Sequence, residues 1–128
     1  MSGVVVDTSV WIEFFAGHPV PSVEEALAEG SVVLPPLVVS ELLSGARNSG
    51  DREAILSVLE DLPLHETPRE HWMRVGDLRR ALKGKGLSVS TPDAHIAQCA
   101  IERQAVLVSR DSVFAGIARV SSLRIRSN

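Results

Sequence analysis

Short, wholly apolar runs alternate along this chain with longer stretches of helical period. Residues 4–6, 32–34 and 105–108 are unbroken runs of small and branched aliphatic residues, too short for helices and without a polar face. Such runs predict strands buried on both sides, as in a parallel sheet covered by helices. Residues 123–125 read as a last strand and 64–66 as a short one. Helical patterns fill the intervals at 9–16, 22–30, 37–47, 51–62, 69–83, 92–102 and 112–117. Ser22 and Glu25 have the spacing of a capping box. Thr91 is placed to cap the next-to-last helix, with Pro92 at its first position. Strands alternating with helices predict an α/β fold, a three-layer α/β/α sandwich with a central parallel sheet.

The chain has 128 residues, 45% hydrophobic and 23% charged, with no visible repeat or linker, so one domain over 1–128 is expected. Its single cysteine, Cys99, excludes an intrachain disulfide and any cysteine cluster for zinc, and fits a reducing compartment. The start, Met-Ser-Gly-Val-Val-Val-Asp, lacks the basic and long apolar segments of a signal peptide. No apolar run reaches the length of a membrane span. The expected location is therefore cytoplasmic. The net charge of −3 argues against a nucleic-acid ligand unless acids are gathered around metal; setting four such acids aside turns −3 into +1. Arg69, Arg74, Arg79, Arg80, Lys83 and Lys85 face only Glu70 and Asp77 in their segment. That is a solvated helix face on the simplest reading, and is also compatible with a phosphate backbone.

In open α/β sheets, ligands bind beyond the carboxyl ends of the strands. Asp7 directly follows the first strand, and Asp111 follows the strand at 105–108 after Ser109 and Arg110. Both acids are thereby expected at one sheet edge. Asp93 shares a helical stripe with Ile96, Ala97, Ala100 and Ile101, so its carboxylate lies on the core side and should open into a cleft. Glu41 falls away from the stripe formed by Val39, Leu42, Leu43 and Ala46, and faces either a cleft or water. Taken singly, Asp7 and Asp111 read as helix caps, Asp93 as a dipole partner and Glu41 as surface charge. Taken together, three acids at one edge point to a divalent cation that relieves their mutual repulsion. Oxygen donors without a nearby histidine or cysteine cluster select magnesium (Mg2+) or manganese (Mn2+) over zinc. Such a site suits phosphodiester hydrolysis.

The same residues resemble the motifs of the PIN-domain family. Val-Val-Val-Asp7-Thr8-Ser9-Val-Trp-Ile is similar to its opening strand and first acid. Pro36-Leu-Val-Val-Ser-Glu41-Leu is similar to the helix with the second acid, and Ser90-Thr-Pro-Asp93-Ala-His-Ile-Ala to the helix with the third. Val108-Ser-Arg-Asp111-Ser-Val-Phe114 is similar to the closing motif. The match runs in order from Val4 to Phe114, and the length agrees with VapC-type toxins of toxin–antitoxin pairs. The resemblance implies a metal-dependent endoribonuclease acting on structured RNA, with Asp7 and Asp93 as principal metal ligands and Glu41 and Asp111 completing the set. It also implies a homodimer and a cognate antitoxin protein. Ser109 stands where threonine is commoner and keeps the hydroxyl. No further acid follows Asp111 in Ser112-Val113-Phe114, so the site rests on four acids.

Thr8 and Ser109 carry hydroxyls that can orient a water or a metal, and Thr8 and Ser9 can equally cap the first helix. The helix after Asp7 is apolar nearly all round, which fits either core packing or a partner groove lined by Trp11 and Phe15. His18, His65, His71 and His95 are scattered without zinc-protease spacing, and His95 lies about 200° around the helix from Asp93. All four read as structural or exposed. A PIN-like module that binds RNA or protein without cutting, a phosphoacceptor domain using Asp7 as nucleophile, and a DNA nuclease are the competing functions.

Overall fold

The computed structural model describes residues 3–127. Strands β1 (Val4–Val6), β2 (Val106–Val108) and β3 (Arg124–Arg126) form a parallel sheet in that order. Val5 stands opposite Leu107, and Leu107 opposite Ile125. Two parallel bridges extend the pairing past β1, Val4 with Val32 and Leu34 with Leu64. The strands expected at 32–34 and 64–66 are thus single bridges. Successive N–H groups there serve opposite neighbours, Val33 donating to Val4 O and Leu34 to Pro63 O. Pro35 has no N–H and ends the segment before a ladder forms.

Val5, Val6, Leu107 and Val108 are all essentially unexposed. Neighbouring strand residues point to opposite faces, so helices cover both faces of the sheet, as the apolar runs predicted. The helices are α1 (Thr8–Phe15), α2 (Pro21–Glu29), α3 (Pro36–Ser44), α4 (Ser49–Leu59), α5 (Arg69–Lys83), α6 (Thr91–Arg103) and α7 (Ser112–Val120). Helix α6 is the hub, touching β1, β2, α3, α5 and α7. Every residue from 94 to 100 is buried, so the helix is covered on all sides and not along one stripe. The polar His95 and Gln98 concealed that second buried face from a hydrophobicity pattern.

Two caps differ from expectation. Pro21, with its preset φ, takes the first position of α2, which puts Ser22 inside the first turn, buried and without a hydrogen-bond partner. Glu24, not Glu25, reaches back to the Val20 N–H at 3.0 Å. At α6 the cap is Ser90, which accepts from the Asp93 N–H at 3.3 Å, so Thr91 and not Pro92 opens the helix. Helix α3 also turns differently. Val38 and Leu42 are its buried line, and α1, α4 and α6 all pack on it. Glu41 therefore borders the covered face and does not point well away from it.

Candidate active site

Three loops and helix starts deliver acids to the carboxyl edge of the sheet. Asp7 is the cap residue of α1, but its carboxylate does not cap the helix. Its N–H donates to Val108 O, which ties the acid to β2, while its Oδ2 accepts from the hydroxyls of Ser9 at 2.9 Å and Ser109 at 3.0 Å. Asp7 is only 5% exposed. Asp111 begins α7, with Oδ1 accepting from the Val113 N–H at 3.0 Å. Ser109 links the two acids, since its hydroxyl donates to Asp7 and accepts from the Asp111 N–H at 3.1 Å. From α3, Glu41 accepts from the Thr8 hydroxyl at 2.7 Å. Thr8 and Ser109 thus hold carboxylates; their hydroxyls are already committed to Glu41 and Asp7.

The charges of these residues act on one another. Asp93, half-buried at the start of α6, has its carboxyl pushed above the ordinary range, first by burial and then by the charges of Asp7, Asp111 and Glu41. Asp7 is also raised, chiefly by burial, with Asp111 adding repulsion against the lowering effect of Ser9 and Ser109. Asp7, Glu41 and Asp111 are therefore all within electrostatic reach of Asp93. Raised carboxyl pKa values on neighbouring acids mark a site whose charge is uncompensated by the protein. The donors are carboxylate oxygens, which fits a hard divalent cation.

Trp11 and Phe15 part company. Trp11 is fully buried, with Phe15 stacked on it at 5.8 Å and Phe14 edge-on at 5.7 Å. It is a core residue and no groove wall, which corrects the expectation for that side chain. Phe15 does line a groove of about 260 Å³ with Ile12, Leu42, Ala46 and Ile55, whose rim includes Glu41 and Arg47. The groove therefore begins at one of the four acids. Ile12 is 58% exposed beside it.

Sequence spacing missed a second polar cluster. His65, His71 and His95 are buried together, whereas His18 is exposed. His71 Nε2 lies 2.8 Å from His95 Nδ1, and Glu102 accepts from His65 Nε2 at 2.7 Å and His71 Nδ1 at 3.0 Å. Burial favours protonation of Glu102, yet the hydrogen bonds from His65, His71 and Gln98 hold its pKa down to about 2. Burial and the neighbouring His71 lower His95 to about 4. The available signal was His95, Cys99 and Glu102 at helical spacing on the side of α6 opposite Asp93.

With this geometry in view, the family comparison is decisive, since the pattern described as the PIN domain matches residues 4–120. The chain belongs to the PIN-domain family. Over 131 aligned residues it is 30% identical to the VapC ribonuclease Mb1587 of Mycobacterium bovis, covering 97% of this chain and 98% of that one. The same figures hold for ribonuclease VapC11 of Mycobacterium tuberculosis. Among solved structures, this PIN domain is similar to VapBC2 of Rickettsia felis, bound to a DNA fragment from its promoter. The TM-score is 0.81 at 21% identity, over 98% of each chain. It is also similar to VapBC-5 of Mycobacterium tuberculosis, a member of the VapBC family of toxin–antitoxin systems. There the TM-score is 0.67 at 26% identity, over 97% of this chain and 96% of that one. Among the described residues, no helix is long and apolar enough to cross a membrane.

Proposed function

We propose that this PIN domain is a metal-dependent endoribonuclease, a single nuclease domain acting as the toxin of a toxin–antitoxin pair. The observation that carries the reading is the gathering of acids at one sheet edge, where Ser109 ties Asp7 to the Asp111 backbone, Thr8 beside Asp7 holds Glu41, and Asp93 faces the charges of the other three. The ribonuclease names of its full-length relatives support the substrate class. Asp7 and Asp93 would hold Mg2+, or Mn2+ in its place, with Glu41 and Asp111 completing the oxygen set. When bound, such an ion activates water and neutralises charge on the phosphate oxygens. The chain's own part is positioning. Ser9 and Ser109 fix the rotamer of Asp7, Thr8 fixes Glu41, and Ser109 ties Asp7 to the start of α7. The exposed Arg79, Arg80 and Lys83 flank a groove with residues 87–89, just before α6 and Asp93, where a phosphodiester backbone is attracted.

The antitoxin is assigned to the apolar groove of Phe15, Ile12 and Ile55, and a homodimer is the expected assembly. An apolar segment seated there would lie against Glu41, so partner binding and inhibition share one surface. The test incubates the antitoxin-free chain with total RNA in magnesium, manganese or chelator, alongside Asp7→Asn and Asp93→Asn. Discrete cuts that need metal and vanish in both folded variants are expected. Cuts that persist in the variants would refute the assigned site, and a folded chain that neither cuts RNA nor binds manganese would indicate a non-catalytic binding module.

A further inference from the structure

The second cluster carries a site of its own, independent of the nuclease reading. A ring nitrogen of His65, one of His71 and Cys99 Sγ all lie within 4.8 Å of one another. His95 Nδ1 sits 2.8 Å from His71 Nε2 and 3.9 Å from Cys99 Sγ. A tetrahedral zinc site, with Zn–N near 2.0–2.1 Å and Zn–S near 2.3 Å, has ligand–ligand edges of roughly 3.3–3.6 Å. The 2.8 Å N–N separation is shorter than such an edge and the 3.9 Å N–S separation longer, and His95 lies outside the trio gathered within 4.8 Å, so His95 must swing inward to complete the tetrahedron.

The hydrogen bonds decide which lone pairs are free. Glu102 takes the Nε2–H of His65 and the Nδ1–H of His71. Gln98 donates to its Oε2 at 3.1 Å, and Arg74 lies 3.4 Å away, which keeps Glu102 a carboxylate acceptor. His65 is therefore left with an Nδ1 lone pair that is buried and has no partner, whereas the Nε2 lone pair of His71 accepts from His95 Nδ1–H at 2.8 Å in the metal-free protein. A carboxylate behind the imidazoles of His65 and His71 is the arrangement that orients histidines toward a metal, and the ion would displace the His95 proton from His71 Nε2. His65 is 92% buried, by its 8% exposure, so its empty lone pair is a cost in the metal-free protein.

We propose that His65, His71, His95 and Cys99 form a closed structural zinc site, oriented by Glu102, on the side of α6 opposite the carboxylate cleft. Nitrogen and sulfur donors select zinc over magnesium, so the two sites discriminate by donor chemistry. On binding, Cys99 releases its thiol proton to solvent and His95 carries its ring proton on Nε2. The ion would join the segment at His65 to α5 and α6, which otherwise meet there through hydrogen bonds and ring contacts, among them Trp72 stacked on His95 at 4.7 Å.

The test adds Co2+ to the full-length protein after removal of metals with a chelator. One equivalent is expected to give a thiolate-to-cobalt charge-transfer band and tetrahedral d–d absorption. Zinc should bleach both, and Asp7→Asn/Asp93→Asn should retain both. Cys99→Ser should lose the charge-transfer band. Zinc should also raise the thermal midpoint of the wild-type chain while excess magnesium leaves the cobalt bands intact. A folded wild-type chain without a thiolate band overturns the proposal and leaves a hydrogen-bonded network. A band that survives Cys99→Ser, or disappears in the double aspartate variant, overturns it equally.

Discussion

The carboxylate cleft and the imidazole cluster are built on opposite sides of α6, yet they handle charge in opposite ways. In the cleft, Asp7 and Asp93 are raised by burial and by neighbouring acids, and only serine hydroxyls and a backbone N–H answer them. In the cluster, the half-buried Glu102 is lowered to about 2 because two imidazoles and an amide donate to it. The protein thus leaves one set of carboxylates uncompensated and satisfies the other. A protein can tolerate the first arrangement where a cation completes it, whereas the second stabilises the fold by itself.

Substitutions should expose that contrast, and the largest effect belongs to the cleft. Asp7→Asn and Asp93→Asn are each expected to reduce RNA cleavage by more than about 100-fold, beyond the loss typical for groups that only support a ligand. Gel-resolved cleavage with manganese titration measures it. Retained cleavage in either folded variant would break the comparison at its functional end. Ser109→Ala should cost roughly 10- to 100-fold in manganese affinity, because Asp7 then loses a hydroxyl that fixes it. Calorimetric titration reads the change.

Stability should move in opposite directions on the two sides of α6. Removing the fully buried His71 leaves the half-buried Glu102 and His95 each short of a partner, so His71→Leu should destabilise the metal-free protein by about 1–3 kcal/mol. Asp7→Asn, in contrast, relieves repulsion and should raise the metal-free thermal midpoint at neutral pH. Equal signs for the two variants would mean that the cleft is not electrostatically strained.

The pH dependence sharpens the contrast further, with smaller effects. Glu102, lowered from 4.5, contributes stability that is fully present above pH 4.5 and is lost as pH falls through about 2. Asp7 and Asp93, raised above 3.8, contribute stability that is present below pH 3.8 and lost as pH rises through their folded values. Thermal midpoints of Glu102→Gln and Asp7→Asn against pH should each flatten only their own window. Binding of manganese to the cleft should strengthen across the second window, as protons leave Asp7 and Asp93.

The groove separates two aromatic neighbours in the same manner. Trp11→Ala should cost about 3–5 kcal/mol of stability, as loss of a fully buried ring does. Phe15→Ser should leave the chain folded and weaken antitoxin binding, measured by surface-immobilised titration. Unchanged affinity in that variant would remove the groove from the partner interface.

The alternation of apolar runs and helical periods determined the parallel α/β/α order, because buried strands and covered helices need those patterns wherever they occur. The position of Asp7 immediately after β1 and of Asp111 soon after β2 places both acids at one edge from the sequence alone. Asp93 in the first turn of α6 followed from its apolar stripe. Tertiary structure alone decided that Glu41 meets Thr8, that Ser109 bridges Asp7 and the Asp111 backbone, and that Trp11 is core while Phe15 is groove. It also gathered His65, His71, His95 and Glu102, which look scattered along the chain, into one network. Local periodicity reports which face of an element is apolar, but hydrogen bonds between distant elements depend on how those faces dock, and polar residues buried in such contacts carry no hydrophobic signature.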